Sequence, residues 1–517
     1  MAQQQHGTIA SKHTQVAIIG SGFSGLGMAI RLKGEGRHSF RIFEKDGGIG
    51  GTWRQNHYPG CACDVQSHVY SYSFEPNPEW TRMFAPQEEI RQYLEHCADK
   101  YQVRPHIHLN TALTEACWDD AQALWQLKDN HGRDFTASVL VSGMGALSIP
   151  ASPNIPGRDN FQGKAFHSQD WDHNYDLTGK RVAVIGTGAS AIQFVPEVQK
   201  EAGQLYLLQR SAPWIMAKPD REISETERSI FRRLPRAQML ERKALYWMLE
   251  SRIVPMLINP KLLRVARYLA RSHIHRQIKD PELRGKVTPD YEFGCKRVLM
   301  SNNYYPALQQ PNVEVVTDGV QEVTETGIVT NDGQHREIDV LIYGTGFKST
   351  DPVPQGLIQG REGQDLNEVW RNGPEAYKGA TIAGFPNLFM VMGPNTGLGH
   401  NSMVYMIESQ IQYVMDAIHT MEQKNIDWVD VKETFQNAYN KRLQSRLGGS
   451  IWNDGGCTSW YIHPETGKNV VLWPDFTFRF SRQTRQFDAS AYQVGKAGDQ
   501  GQAQTTTTTT PLEEQPA

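Results

Sequence analysis

The stretch Gln15-Val-Ala-Ile-Ile-Gly-Ser-Gly-Phe-Ser-Gly25 decides the fold of this chain. Its opening run is rich in β-branched residues and predicts a short, buried parallel strand. Gly20, Gly22 and Gly25 let the chain turn tightly and bring its backbone against a pyrophosphate at a helix N-terminus. Glu44 ends the next predicted strand, where a carboxylate accepts hydrogen bonds from ribose hydroxyls. The pattern predicts a dinucleotide-binding unit rather than a glycine turn without a ligand.

A second copy of this pattern begins at residue 180. Lys180-Arg-Val-Ala-Val-Ile185 predicts a strand, and a glycine-rich turn follows it. The residues of that turn are Gly186, Thr187, Gly188, Ala189, Ser190 and Ala191. The next strand ends in Arg210 and Ser211, and an arginine there suits a 2′-phosphate, whereas an acid suits a free 2′-hydroxyl. We therefore expect NADP rather than NAD, with a solvated arginine as the alternative.

Length and composition limit the possible functions. The chain has 517 residues, which is too many for one core and favours two or three domains. Its net charge of −3 gives no indication of a nucleic-acid partner. The cysteines lack the spacing of a zinc site, so we expect no metal and interpret all of them as reduced thiols in a cytosolic protein. They are Cys61, Cys63, Cys97, Cys117, Cys295 and Cys457.

The two ends of the chain are polar. Residues 1–12 lack the apolar core of a signal peptide, and no run of about 18 apolar residues predicts a membrane span. We expect a cytoplasmic protein with disordered tails at 1–11 and 496–517, the second of which contains six consecutive threonines. The sequence gives no indication of the oligomeric state.

The order of these elements predicts an α/β fold with two Rossmann-like dinucleotide-binding domains and a helical insertion. We assign 12–147 and 352–495 to a discontinuous first domain and 148–351 to the second. The insert covers about 221–290. Its residues Trp247, Tyr246, Leu249, Val254 and Leu257 line a pocket or, more commonly for such spacing, form core. The arginines Arg264, Arg267 and Arg271 suggest either a membrane-surface helix or, as we expect, a solvated face.

Three further segments carry candidate chemistry. Gly50-Gly-Thr-Trp53 is followed by Tyr58-Pro-Gly60 and then Asp64, which is either a site carboxylate or a loop cap. His167 lies in the linker and, taken alone, is a surface histidine. Arg297 presents a rigid fork of donors that suits an oxyanion, although alone it is a plain surface arginine.

These motifs together resemble the type I Baeyer–Villiger monooxygenases, over roughly Val16 to Pro474. The linker is similar to that family's FxGxxxH(T/S)xxW(P/D) pattern through Phe161, Gly163, His167, Ser168, Trp171 and Asp172. The segment from Gly50 to Asp64 resembles its second pattern. Asp172 stands where proline is common, which is a mild departure from the pattern.

The resemblance implies that NADPH reduces FAD and that dioxygen then gives a C4a-peroxyflavin shielded by NADP⁺. This species converts a ketone to an ester or lactone, and we lean towards aliphatic ketones. By the same resemblance, Arg297 stabilises the peroxide with Asp64 as its partner, and His167 couples domain movement.

The resemblance also implies a set of cofactor contacts. For FAD they are Gly20, Gly22, Phe23, Gly25, Glu44, Thr52, Trp53, Gln55, Asp64, Tyr70, Leu113 and Met403. For NADP they are Gly186, Thr187, Gly188, Ala189, Ser190, Arg210, Ser211, Lys296, Arg297 and Trp460, the last of which covers the active site or is simply core. The N-terminus of a helix after Ser402 is expected to face the flavin.

Three other functions fit parts of the pattern. A flavin-containing monooxygenase that oxygenates sulfur or nitrogen shares both glycine-rich turns but needs neither Arg297 nor Asp64. A disulfide-type flavin reductase needs a CxxxxC pair after the first helix, where only Cys61 and Cys63 lie nearby. A non-catalytic nucleotide-binding protein would not oxidise NADPH.

Overall fold

The structure is a computed structural model that describes residues 12–258 and 260–499. Residues 1–11 and 500–517, which make up most of the two predicted disordered tails, lie outside the described residues. Lys496 to Asp499 belong to the predicted second tail, but they form a turn in which the Lys496 amide donates to Asp499 Oδ2 at 2.8 Å. The Ala497 amide also donates to Asp427 Oδ2 at 2.9 Å, so this turn is held to the body of the protein.

Strands are found along the whole described chain. They are β1 (His13–Ile19), β2 (Phe40–Phe43), β3 (Ile107–His108), β4 (Leu113–Asp119), β5 (Leu124–Asp129), β6 (Asp134–Ser142), β7 (Lys164–His167), β8 (Arg181–Ile185), β9 (Gln204–Leu208), β10 (Ile215–Met216), β11 (Leu299–Met300), β12 (Val313–Val316), β13 (Val320–Val323), β14 (Gly327–Thr330), β15 (His335–Glu337), β16 (Val340–Tyr343), β17 (Ile358–Gln359), β18 (Leu388–Met390), β19 (Trp428–Val431) and β20 (Tyr492–Gly495).

Helices connect these strands and form the insert. They are α1 (Phe23–Gly34), α2 (Thr52–Gln55), α3 (Gln87–Lys100), α4 (Ala191–Glu201), α5 (Glu225–Arg233), α6 (Pro235–Glu250), α7 (Leu263–Gln277), α8 (Pro281–Val287), α9 (Tyr304–Leu308), α10 (Leu366–Val369), α11 (Met403–Gln423), α12 (Glu433–Leu447), α13 (Ile451–Asp454) and α14 (Thr477–Gln483). A π-helical turn spans Val254–Ile258. Short 3₁₀ turns span Ser67–Val69, Arg104–His106, Arg158–Asn160, Ser168–Asp170, Pro260–Leu262, Arg361–Gly363 and Ala489–Ala491.

Two large sheets divide the chain. The first has the order β17-β4-β5-β6-β1-β2-β3, with β18 also paired to β6, and its β6-β1-β2 centre is parallel. The second, β12-β9-β8-β16-β7, is parallel throughout. The central strands of both are buried runs of valine, isoleucine and leucine, as parallel sheets covered on both faces require. The predicted α/β fold with two dinucleotide-binding units is confirmed, while the exact domain limits stay a prediction.

The two units close over their glycine turns in the same way. Gly20 has φ +90°, and a Cβ there would lie 2.9 Å from the Gly143 carbonyl oxygen. Gly186 has φ +111°, and its Cβ would lie 2.3 Å from the Gly344 carbonyl oxygen. Gly143 and Gly344 each donate a 2.9 Å hydrogen bond to the last residue of the strand before the turn. Only glycine fits at the first position of either turn.

The insert is helical, as expected, but one expectation about its side chains is wrong. Trp247 is neither pocket lining nor core, because 58% of it is exposed on α6. Arg264 and Arg271 on α7 are exposed, as a solvated face predicts, and Val265 and Tyr268 beside them are also 62% and 70% exposed. Within the described part of the chain, none of the helices is long and apolar enough to cross a membrane.

The duplicated closure leads to a stability prediction. We expect Gly186→Ala to lower the melting temperature, because a positive φ and a close carbonyl oxygen together cost about 1–3 kcal/mol. Gly188→Ala is the matched control, because its Cβ would meet no atom within 4 Å. Differential scanning calorimetry of both variants measures the difference, and equal melting temperatures would contradict this account of the turn.

Candidate active site

The first glycine turn is built around a buried carboxylate. Glu44 is 3% exposed at the end of β2, and its Oε2 accepts hydrogen bonds from the Ser21 amide at 2.8 Å and the Ser21 hydroxyl at 2.6 Å. A Cβ on Gly25 would lie 1.9 Å from the Gly20 carbonyl oxygen, so α1 packs directly against the turn. Phe23 begins α1 with its ring in the core, 5.3 Å from the ring of Tyr70. The predicted turn, acid and helix N-terminus therefore lie together.

The Gly50–Trp53 segment lies against the same turn. A Cβ on Gly51 would come 3.1 Å from the Gly22 Cα, so two backbones meet where no side chain fits. Thr52 begins α2, and the Trp53 indole nitrogen donates to the Tyr70 hydroxyl at 3.1 Å. Gln55 Nε2 donates to Asp46 Oδ2 at 2.8 Å, and its Oε1 is buried without a hydrogen-bond partner. An extended dinucleotide fits against this backbone. The unpaired Gln55 Oε1 can accept a hydrogen bond from it.

Two further predicted contacts come from later parts of the chain. The Thr111 amide donates to the Glu44 carbonyl at 2.7 Å, which places Leu113, at the start of β4, beyond the end of β2. Met403 is the first residue of α11, and the amide of Val404 donates to the Ser402 hydroxyl at 3.3 Å. The predicted helix N-terminus at this position is therefore present.

The second glycine turn precedes α4. Gly188 and Ala189 are exposed, and Ser190 is the residue before the helix. The Thr187 hydroxyl donates to the Ser211 carbonyl at 3.2 Å, which fixes the turn against the end of β9. An exposed backbone at a helix N-terminus fits a second pyrophosphate.

Two basic side chains lie close together at the end of β9. Lys296 Nζ donates to the Ser211 hydroxyl at 2.8 Å, although the two residues are far apart in sequence. Burial lowers the pKa of Lys296, and the nearby charge of Arg210 lowers it further. Two like charges close together are destabilising unless an anion lies between them. Arg210, Ser211 and Lys296 therefore fit the 2′-phosphate of NADP, as the sequence predicts.

Arg297 and Asp64 form the central ion pair. Arg297 Nε donates to Asp64 Oδ2 at 2.6 Å. Burial favours the neutral form of each group, but the mutual attraction outweighs it, so the pKa of Asp64 lies below its ordinary value and that of Arg297 above. About a quarter of the Arg297 side chain and a third of that of Asp64 remain accessible, so a ligand can reach the pair. Both groups are therefore charged at neutral pH.

The same arginine joins a third segment. Its Nη1 donates to the Leu398 carbonyl at 3.1 Å, just ahead of the N-terminus of α11. Tyr461 is buried nearby, and burial raises the pKa of its hydroxyl to about 12, so it is neutral at physiological pH. The predicted catalytic pair thus lies beside the helix N-terminus that is predicted to face the flavin.

A disulfide corrects the expectation that every cysteine is a reduced thiol. Cys295 and Cys457 are bonded, across a sequence separation of 162 residues, while the other four cysteines are free. The bond fixes the loop of Trp460 to the segment that carries Lys296 and Arg297. Trp460 itself is 44% exposed, so it is not core. Spacing gave no sign of this pair, because the fold alone brings the two residues together.

His167 has both ring nitrogens engaged with backbone. Its Nε2 donates to the Gly346 carbonyl at 3.1 Å, and its Nδ1 accepts from the Gln169 amide at 3.1 Å. Burial lowers its pKa, so the ring is neutral at physiological pH. The ring is therefore not the surface histidine that its sequence position alone indicates; it ties the linker to the second closure.

Sequence reasoning missed a buried polar cluster behind this site. Glu250, at the end of α6, is 1% exposed and accepts hydrogen bonds from Asn401 Nδ2 at 2.6 Å and the Thr477 hydroxyl at 2.8 Å. His400 Nε2 lies 3.5 Å from the same carboxylate. A single carboxylate inside a helical run gives no signal of this kind. Glu250 attaches the insert to the loop before α11.

Sequence reasoning also missed the contact between the two nucleotide-binding units. Gln193 on α4 accepts from the Tyr58 hydroxyl at 3.0 Å and donates to the Ala62 carbonyl at 2.9 Å. A Cβ on Gly60 would lie 2.8 Å from the Gln193 carbonyl oxygen. The positive φ of Gly60, +76°, explains the glycine in Tyr58-Pro-Gly60.

Comparison with known proteins agrees with this geometry. The flavin-binding monooxygenase-like family model matches residues 13–362. A Baeyer–Villiger monooxygenase of Pseudomonas aeruginosa is 61% identical, over 94% of this chain and 92% of that protein. One from Streptomyces coelicolor is 47% identical, over 93% of each. The chain belongs to the flavin-binding monooxygenase family, among its Baeyer–Villiger monooxygenases. The family predicted from the motifs is confirmed.

Solved structures of this family have the same fold. An oxidised steroid monooxygenase bound to NADP is 29% identical, with a TM-score of 0.82 over 93% of this chain and 99% of that one. A closed structure of cyclohexanone monooxygenase is 26% identical, with a TM-score of 0.84 over 94% of this chain and all of that one. Both glycine turns of this chain, with the residues around them, fit the cofactors of such flavoenzymes.

The disulfide leads to a second stability prediction. Removing a native disulfide costs about 2–4 kcal/mol, so we expect Cys457→Ser to lower the free energy of unfolding by about that amount. Cys117→Ser, which removes a free and partly exposed thiol, is the control. Dithiothreitol should lower the melting temperature of the wild type to that of Cys457→Ser. Thiol labelling of unfolded, unreduced protein at all six cysteines, rather than four, would contradict the bond.

Proposed function

We propose that this protein uses NADPH and dioxygen to convert ketones to esters or lactones, with FAD as its bound cofactor. The observation that carries the proposal is the Arg297–Asp64 pair, which is partly accessible and joined to the segment before α11. Bound FAD would supply the redox chemistry by accepting hydride from NADPH and activating dioxygen. The rest of the reaction depends on what the chain places around it.

Arg297 supplies a fixed positive charge for the oxygen chemistry. When the carbonyl carbon of a ketone becomes tetrahedral, negative charge develops on its oxygen, and a preorganised guanidinium stabilises that charge. Asp64 holds the guanidinium in one orientation through the 2.6 Å hydrogen bond. Its carboxylate also offsets the cost of keeping the arginine charged in a partly dry site. Oxygenation at sulfur or nitrogen does not need this pair.

Arg210 and Lys296 select the phosphorylated nucleotide. Lys296 is held beside the end of β9 by Ser211, and Arg210 lies close enough to affect its pKa. The 2′-phosphate of NADPH would relieve the repulsion between these two cations. His167 then couples the linker to the second closure through the Gly346 carbonyl without transferring a proton.

The proposal also covers the class of ketone and the cellular compartment. We favour open-chain aliphatic ketones, on overall resemblance to the family. We favour the cytoplasm, because NADPH is regenerated there. Disulfides are rare in that compartment, and the full burial of Cys295 would slow reduction of its bond while the protein is folded.

The role of Arg297 is tested by measuring flavin reduction and ester formation separately. We expect Arg297→Ala to keep reduction of the flavin by NADPH but to lose ester formation by about a hundredfold or more, as for removal of one oxyanion donor. Arg267→Ala, which removes an exposed pair with Glu292, is the control. Stopped-flow flavin reduction and product mass are measured with aliphatic, cyclic and aryl ketones and with a sulfide. Ester formation by Arg297→Ala at the wild-type rate would contradict the proposed role of Arg297. Sulfoxide as the main wild-type product would favour the heteroatom reaction.

Nucleotide selectivity is tested at Lys296. We expect Lys296→Ala to raise the KM for NADPH roughly ten- to hundredfold, since a hydrogen bond to a charged group contributes about 1.5–3 kcal/mol, while the KM for NADH stays the same. Lys286→Ala removes a lysine paired with Glu282 on α8 and serves as the control. A parallel rise in both KM values would mean that Lys296 does not contact the 2′-phosphate.

A further inference from the structure

The insert presents apolar side chains to solvent on one side of α6. Met239, Leu240 and Trp247 are 54%, 68% and 58% exposed. Lys243 lies between Leu240 and Trp247, and Arg236 lies one turn before Leu240; both are exposed, so one stripe of the helix alternates basic and apolar side chains. We call this stripe the α6 face. An ordinary solvated helix is polar on that side, so these side chains need a partner.

The charge around the α6 face is strongly positive. Residues 233–279 contain eleven lysines and arginines against two acids, whereas the whole chain has 53 against 56. Glu250, one of those two acids, is buried and engaged with Asn401. Within the described part of the chain, Arg236 and Lys243 form no ion pair. Arg236 and Lys243 are therefore unpaired where the apolar side chains are exposed.

The next helix repeats the arrangement. On α7, Val265, Tyr268 and Leu269 are 62%, 70% and 49% exposed. Arg264 and Arg271 lie on the same side of the helix as Tyr268, four and three residues away respectively. Two helices with exposed leucine, tryptophan or tyrosine among basic side chains have the composition of segments that lie in a membrane interface.

We propose that the α6 face binds peripherally to an anionic lipid bilayer. Its apolar side chains would enter the boundary between headgroups and acyl chains, while its basic side chains would contact lipid phosphates. A second copy of the chain is a poorer occupant, because a twofold dimer would place this positive face against itself. The inference does not depend on the proposed reaction.

The bilayer contact lies on the helix that also supports the active site. The Tyr246 hydroxyl lies 2.9 Å from the Thr477 hydroxyl, and Glu250 holds both Thr477 and Asn401 on the buried side of α6. Docking through α6 would therefore hold the loop before α11 one helix diameter, roughly 10 Å, from the membrane. This arrangement suits uptake of an apolar substrate from the lipid phase.

Vesicle binding by the FAD-loaded enzyme tests the inference. We expect flotation with vesicles of phosphatidylcholine and phosphatidylglycerol, none with phosphatidylcholine alone, and release at 1 M salt, where the Debye length is about 3 Å. Leu240→Gln with Trp247→Gln should abolish flotation. Arg236→Gln with Lys243→Gln should lower partitioning about fivefold for each cation removed.

Phe435→Gln with Lys441→Gln alters an exposed apolar and basic pair on α12 and should leave flotation unchanged. Ketone turnover in solution and melting temperature should be unchanged in all these variants, which separates lipid binding from folding. Absence of wild-type flotation, or equal flotation with neutral vesicles, would overturn the proposal. It would also be overturned by self-association in analytical ultracentrifugation that the α6 substitutions abolish, because the α6 face would then bind a second copy.

Discussion

The ion pair between Arg297 and Asp64 is the constraint on which the site depends, because three separate segments of chain meet there. Asp64 comes from the first nucleotide unit, Arg297 follows the insert, and the Leu398 carbonyl belongs to the segment before α11. Separating a partly buried pair leaves a desolvated charge, which is costly. Any movement of one unit relative to the other must therefore keep the pair together or supply another anion to the guanidinium.

Helix α6 connects this site to the outer surface. Its last residue, Glu250, is buried against the segment before α11, while Leu240 and Trp247 on the same helix face solvent. A helix with an exposed apolar side is stabilised by the contacts of its buried side, which on α6 include Gln238 and Arg242 as well as Glu250, since the exposed side contributes little burial. Helix α6 thus links the insert to the segment that contacts Arg297.

Features that depend on local chemistry could be predicted from the sequence. The two glycine turns follow from backbone requirements at Gly20 and Gly186, and the grouping of Arg210 with the second turn follows from strand order. Exposure of Trp247 could not be predicted, because helical spacing is the same for a core face and for a face that binds a partner. The role of Glu250 also needed the fold, since its partners come from segments more than 150 residues away.

The Cys295–Cys457 bond has a consequence for the continuity of the chain. The residues between its two ends include β16, β18 and α11, which belong to both large sheets and to the site. A single backbone break anywhere in that interval would leave both fragments covalently attached. The enzyme can therefore be nicked within this ring and still hold its two halves at fixed effective concentration until a reductant opens the ring.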